Sequence, residues 1–136
     1  MAVAAALLAA CATGPKPGLT ELPVDGAQSI PAASYAEATK AAAAGATPVE
    51  IATRITGRFE GRTQHIVQAN EGVEAPTGAR VIVVRDGLLD DSVRGDRWDI
   101  RLERTQTGNW RIAEVQRAWR CRRGDQPDRF AAARCP

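Results

Sequence analysis

Between Arg97 and Glu103 the chain alternates without a slip: Trp98, Ile100 and Leu102 are apolar, while Arg97, Asp99, Arg101 and Glu103 are charged. A period of two sends successive side chains to opposite faces, so this segment is expected to be a strand with one dry and one wet face. Thr107-Gly108-Asn109 supplies a hairpin turn, and the next strand answers from Trp110 with Ile112. After Ala113-Glu114 the pattern changes phase to Val115, Arg117 and Trp119, the mark of a β-bulge. Upstream, Ala79–Arg85 reads ARVIVVR, apolar on consecutive positions and β-branched, which suits a central strand covered on both faces. The sequence DGLLDD from Asp86 to Asp91 is a turn, and HIVQA from His65 to Ala69 a further short strand.

Helix signals precede the strands. Ser34 with Glu37 has the spacing of a capping box, and the alanines after it run to a stop at Gly45. Thr47, Pro48 and Glu50 form a second start, with proline at the first helical position. Ile51, Ile55 and Phe59 then recur at helical spacing, and a helix to about Gly57 is expected. The expected fold class is therefore α+β: one or two N-terminal helices packed on a four-stranded antiparallel meander sheet. This order is similar to the cystatin-like and nuclear transport factor 2-like folds, an analogy of fold that carries no function. The run GLLDDSVRG, RWDIRLER, NWRI and RAWRCRRG with a final cysteine resembles a family of small secreted bacterial proteins, which brings no activity with it.

The first residues read as an address. Ala2–Ala10 is apolar but far shorter than the roughly 20 residues a membrane span needs. Leu8-Ala9-Ala10-Cys11 resembles the lipobox of bacterial lipoproteins, whose cysteine is acylated. The resemblance implies a signal peptide over 1–10, a membrane anchor on Cys11 and a bacterial envelope location. Ala12 is not the aspartate that resembles an inner-membrane retention signal, so the outer membrane facing the periplasm is favoured. Residues 11–31, rich in Pro and Gly, read as a flexible tether, and 32–136 as a single α+β domain.

With Cys11 assigned to lipid, Cys121 and Cys135 remain as a pair that export would oxidise. Closing a loop of about 15 residues would stabilise the fold by about 3 kcal/mol in the chain-entropy model. A catalytic dithiol usually has its cysteines closer, and a zinc site needs three or four ligands where His65 is the sole histidine, so no metal or cofactor is expected. Arg-Gly-Asp occurs at Arg94–Asp96 and at Arg123–Asp125, the second copy inside the disulfide loop, as in some integrin-binding snake venom proteins. Residue types this common generate such triplets easily, and the first glycine suits a bulge or strand entry.

Charge is uneven: residues 92–136 carry 11 basic and 6 acidic side chains, residues 1–91 carry 7 and 10. Arg97, Arg101, Arg117, Arg120, Arg122 and Arg123 are therefore candidates for an anion-binding patch facing an envelope polymer or protein, with Arg111 beside them. The competing account is cross-strand pairing with Asp99, Glu103 and Glu114. Asp90 and Asp91 fit turn residues better than a calcium loop or a carboxylate pair, and Ser92 lacks a nearby base. Trp98, Trp110 and Trp119 fit core positions. The functional expectation is a non-catalytic envelope lipoprotein, a small binding or accessory module with no nucleic-acid partner. The alternatives are a small periplasmic enzyme using the Asp90/Asp91 turn, an anionic-ligand binder using the arginine-rich sheet, and a protease inhibitor suggested by the fold analogy alone.

Overall fold

The computed structural model describes residues 14–136. The expected signal peptide over 1–10 and the expected lipidation site Cys11 lie outside the described residues. Two helices, α1 (Ala36–Ala43) and α2 (Pro48–Thr56), precede four long strands: β3 (Thr63–Glu71), β4 (Gly78–Asp86), β5 (Val93–Arg104) and β6 (Trp110–Cys121). Three two-residue strands, β1 (Val24–Asp25), β2 (Gln28–Ser29) and β7 (Phe130–Ala131), complete a curled seven-stranded sheet. The expected α+β class holds, whereas a sheet of four strands does not.

The long strands pair antiparallel in chain order, β3 to β4 to β5 to β6. The additional strands arise at the outer edge of β6. There β2 pairs antiparallel at Gln116 and Arg117, β7 pairs at Trp119, and β1 pairs parallel with β7. Residues 24–25 and 28–29, within the stretch read from sequence as tether, thus belong to the sheet. Their partners lie about a hundred positions away, and two-residue ladders leave no periodicity to detect.

Local signals explain most of the rest. Thr47 caps α2, its hydroxyl accepting from the Glu50 N–H, while the Glu50 carboxylate accepts from the Thr47 N–H. That bonding holds the Glu50 carboxyl below the usual carboxylate range. The α1 start differs from expectation. A 3-10 turn over Ala32–Tyr35 leads into the helix, and the Ser34 N–H donates to the Pro31 carbonyl. Ser34 is thereby inside a helical turn and cannot cap, while Glu37 pairs with Lys40 at 2.9 Å instead. The helix stops where foreseen, at Gly45 with φ +96°.

The bulge also lies where the phase changed. Arg101 faces Glu114 and Leu102 faces Ile112, which leaves Ala113 as the extra residue. The shift keeps Trp110 and Val115, on either side of it, in the same core. Under the helices, Ala38, Ala42, Ile51 and Ala52 pack on Val81, Val83, Trp98, Ile100 and Leu102. The opposite face carries a smaller core of Leu22, Val84, Ala118 and Phe130, closed by the N-terminal arm and the C-terminal tail. β4 is therefore covered on both faces near Val83 and Val84, as its unbroken apolar run requires. Cys121 and Cys135 form a disulfide with Cα atoms 5.3 Å apart. It ties down the tail from which Phe130, fully buried, reaches the second core.

Candidate functional site: the arginine end of the sheet

The ends of β4, β5 and β6 nearest the disulfide gather the densest charge in the fold. On the helix-facing side, apolar packing gives way to ions after Val83 and Trp98. Asp96 is 0% exposed and accepts from Arg85 Nε at 2.7 Å and Nη2 at 2.6 Å. It accepts also from Arg117 Nη2 at 2.7 Å. Arg85 Nη1 donates to the Thr56 carbonyl at 2.9 Å, which satisfies an open end of α2. The Arg117 guanidinium lies 4.5 Å from the Trp98 ring centroid and 5.1 Å from that of Trp119. A buried carboxylate with two forked partners and stacked rings is a structural knot, closed to solvent ligands.

Asp96 reaches this position because β5 can approach β4 closely at Gly95. A side chain there would collide with the Arg85 carbonyl oxygen. The first Arg-Gly-Asp triplet is thus a close-approach glycine followed by a buried anchor, in line with its expected backbone role. The second triplet lies in the exposed disulfide loop, with Gly124 at φ +116°.

The other side of the same strand ends is more open. Arg120 is buried, donating to Asp86 at 3.0 Å, to Asp128 at 3.1 Å and to the Pro127 carbonyl. Beside it, Arg62, Asp86, Gly87, Arg94 and Arg122 line a cavity of about 420 Å³. Gly87, at φ +64°, forms its floor, where an added Cβ would come within 2.6 Å of the Arg62 Cβ. A second cavity of about 350 Å³ shares Asp86 and Arg94 and extends to Lys16 and Pro17.

The arginines singled out from sequence do not assemble as one patch. Arg117 and Arg120 are bound in the ion pairs above. Arg97 is half-buried, 3.7 Å from Asp99. Arg101 is exposed toward the far end of β5, and Arg123 is exposed in the disulfide loop. Arg122 donates to the Asp90 and Leu88 carbonyls at 2.8 and 2.6 Å and alone of the six lines the open cavity. Cross-strand pairing accounts for others, including Arg80 with Asp99 and Arg111 with Glu103. Burial works to raise the Asp99 carboxyl, but the hydrogen bonds and charge of Arg80, with Arg97 and Arg101, outweigh it and hold the carboxyl below its ordinary value. Sequence reasoning missed Arg62, which precedes β3, and Arg94, at the start of β5 ahead of its alternating stretch. The Asp86-Gly87 pair was the one local hint.

Asp90 forms the turn expected of it, its Oδ1 accepting from the Ser92 and Val93 N–H groups at 2.8 and 2.7 Å. Those bonds hold its carboxyl below the usual carboxylate range. Asp91 and His65 are exposed, while all three tryptophans are buried. Among the described residues no group of three or more His, Cys, Asp or Glu side chains is placed to hold a metal ion. No helix among them is long and apolar enough to cross a membrane.

No family model, curated protein or solved structure matches the chain.

Proposed function

We propose that the protein is a non-catalytic binding or accessory module of the bacterial envelope, anchored in the membrane by acylation of Cys11. The observation that carries this reading is the Cys121–Cys135 bond. Disulfides persist in oxidising compartments, so the bond argues for export, as the leader-like start does independently. Several acyl chains, each buried methylene contributing about 0.8 kcal/mol, make such attachment durable. The enzymatic alternative gains nothing from the placement of its residues. Asp90 is engaged by two backbone N–H groups and Asp91 faces solvent. The anion-binding alternative is favoured by one observation, the cavity where Arg62, Arg94 and Arg122 meet a single carboxylate.

Metabolic labelling with clickable palmitate tests the anchor. The native chain is expected to take up label and Cys11→Ser to lose it, and equal labelling of the two would refute the assignment. In the same preparation Cys121 and Cys135 are expected to resist alkylation until reduced.

A further inference from the structure

We propose that the cavity lined by Arg62, Arg94 and Arg122 binds the phosphate of an anionic lipid headgroup and so orients the domain on the membrane that anchors it. The inference rests on the envelope-anchored reading for the source of its ligand, and on the cavity alone for its chemistry.

Many arginines of this chain are paired with carboxylates. Arg80 and Arg97 face Asp99, Arg85 and Arg117 share Asp96, Arg111 meets Glu103, Arg120 meets Asp86 and Asp128, and Arg129 meets Asp25. Arg62 and Arg122, like Arg101 and Arg123, form no ion pair with a carboxylate among the described residues, but these two line one cavity together. Arg94 lies 3.6 Å from Asp86, whose carboxylate is also bound by Arg120. The cavity therefore holds a positive excess with room for an oxyanion. Guanidinium groups suit phosphate because their N–H donors match its oxygens in pairs.

The three arginines come from three chain segments that backbone hydrogen bonds fasten together. The Arg62 N–H donates to the Asp86 carbonyl at 3.1 Å, and the Leu89 N–H to Glu60 at 3.2 Å. The Leu88 N–H donates to Arg94 at 3.0 Å, and the Arg122 N–H to Ser92 at 2.9 Å. Arg122 is further held by two carbonyls of the 88–90 loop and adjoins the disulfide at Cys121. The backbone of the cradle and the Arg122 side chain are thus ordered before a ligand arrives, and the Arg62 side chain is left to be ordered on binding.

Its position names the source of the phosphate. Arg94 is shared with the neighbouring cavity that Lys16 lines. Lys16 is five residues from Cys11, so an extended chain could separate the two by no more than about 18 Å. An acylated Cys11 thus keeps this end of the sheet close to the headgroups. The opposite end is distant, because Arg94 and Arg104 are separated by ten positions of β5, about 33 Å at strand rise.

The test uses full-length Cys11→Ser protein, which removes the acyl chains and leaves the cradle. Sedimentation with phosphatidylglycerol vesicles should show binding that phosphatidylcholine vesicles do not support and that inorganic phosphate competes away. Arg62→Gln/Arg122→Gln should weaken vesicle binding at least about tenfold. The charge-matched control Arg123→Gln/Arg134→Gln, in the disulfide loop beside the cradle, should change it less than about twofold. Arg62→Gln alone, which breaks no ion pair or side-chain hydrogen bond among the described residues, guards against misfolding and should weaken binding in the same direction. Equal losses in the two double variants, or no vesicle binding by the parent, would overturn the proposal. Binding of inorganic phosphate without vesicle binding would overturn the lipid source. Failure of palmitate labelling in cells would strike the anchor and leave these results standing.

Discussion

Replacing Asp96 by alanine removes the one carboxylate that compensates Arg85 in the interior. The Arg85 side chain is 7% exposed, and with Asp96 gone its guanidinium keeps one hydrogen bond, to the Thr56 carbonyl, and the Trp98 ring at 5.8 Å. Arg117, 28% exposed on its side chain, can turn toward water, so most of the cost falls on Arg85. Breaking a buried pair in this way costs about 3–5 kcal/mol, because an uncompensated charge stays behind. Against the roughly 5–15 kcal/mol that holds a domain together, the loss is about a fifth at the least. At about 4 °C per kcal/mol for a domain of this size, the midpoint should fall by about 12–20 °C. The comparison is Glu103→Ala, which breaks the exposed Arg111–Glu103 pair, with side chains 60% and 56% exposed. That change should cost no more than about 1 kcal/mol. Thermal melts and urea titrations followed by far-UV circular dichroism would measure both. Adding Arg85→Met to Asp96→Ala should recover part of the loss by removing the orphaned charge. Costs for Asp96→Ala and Glu103→Ala within about 1 kcal/mol of each other would refute the reasoning.

Two further outcomes follow from the same structure. Cys121→Ser/Cys135→Ser should lose about 3 kcal/mol of stability in the chain-entropy model, read as a lower urea midpoint, since the clasp holds the tail that buries Phe130; an unchanged midpoint would show that Phe130 docks without it. Asp99 has a carboxyl depressed in the folded state, so its contribution is present above the unfolded value of about 3.9 and disappears as pH falls through the folded value. Asp99→Asn should therefore destabilise the protein at pH 7 more than at pH 3, and an equal effect at both would argue that Arg80 and Asp99 are not electrostatically coupled.

Much of this architecture was legible in short windows of sequence. Thr47-Pro48 and Glu50 announce α2 because a cap and its reciprocal carboxylate act within one turn. The alternation from Arg97 to Glu103 marks β5, and the change of phase at Ala113 marks the bulge, since pleating ties side-chain direction to position parity. The cysteine pair was legible by elimination. What stayed hidden was everything with a distant partner. Nothing near Val24 announces that it will face Phe130, and nothing in an arginine-rich strand tells which guanidinium will find a carboxylate. Alternation placed Arg97, Asp99 and Arg101 on one face correctly but could not tell that Asp96 would be buried between Arg85 and Arg117. Nor could it tell that Arg62, Arg94 and Arg122 would share a cavity. Local signals set the start of α2, the long strands and the bulge, because those depend on backbone preferences and periodicities spanning a few residues, and the cysteine count pointed to the clasp. The tertiary structure alone decided the edge strands, the buried ion cluster and the open arginine cradle, because a charge is neutralised or left over according to which strands become neighbours.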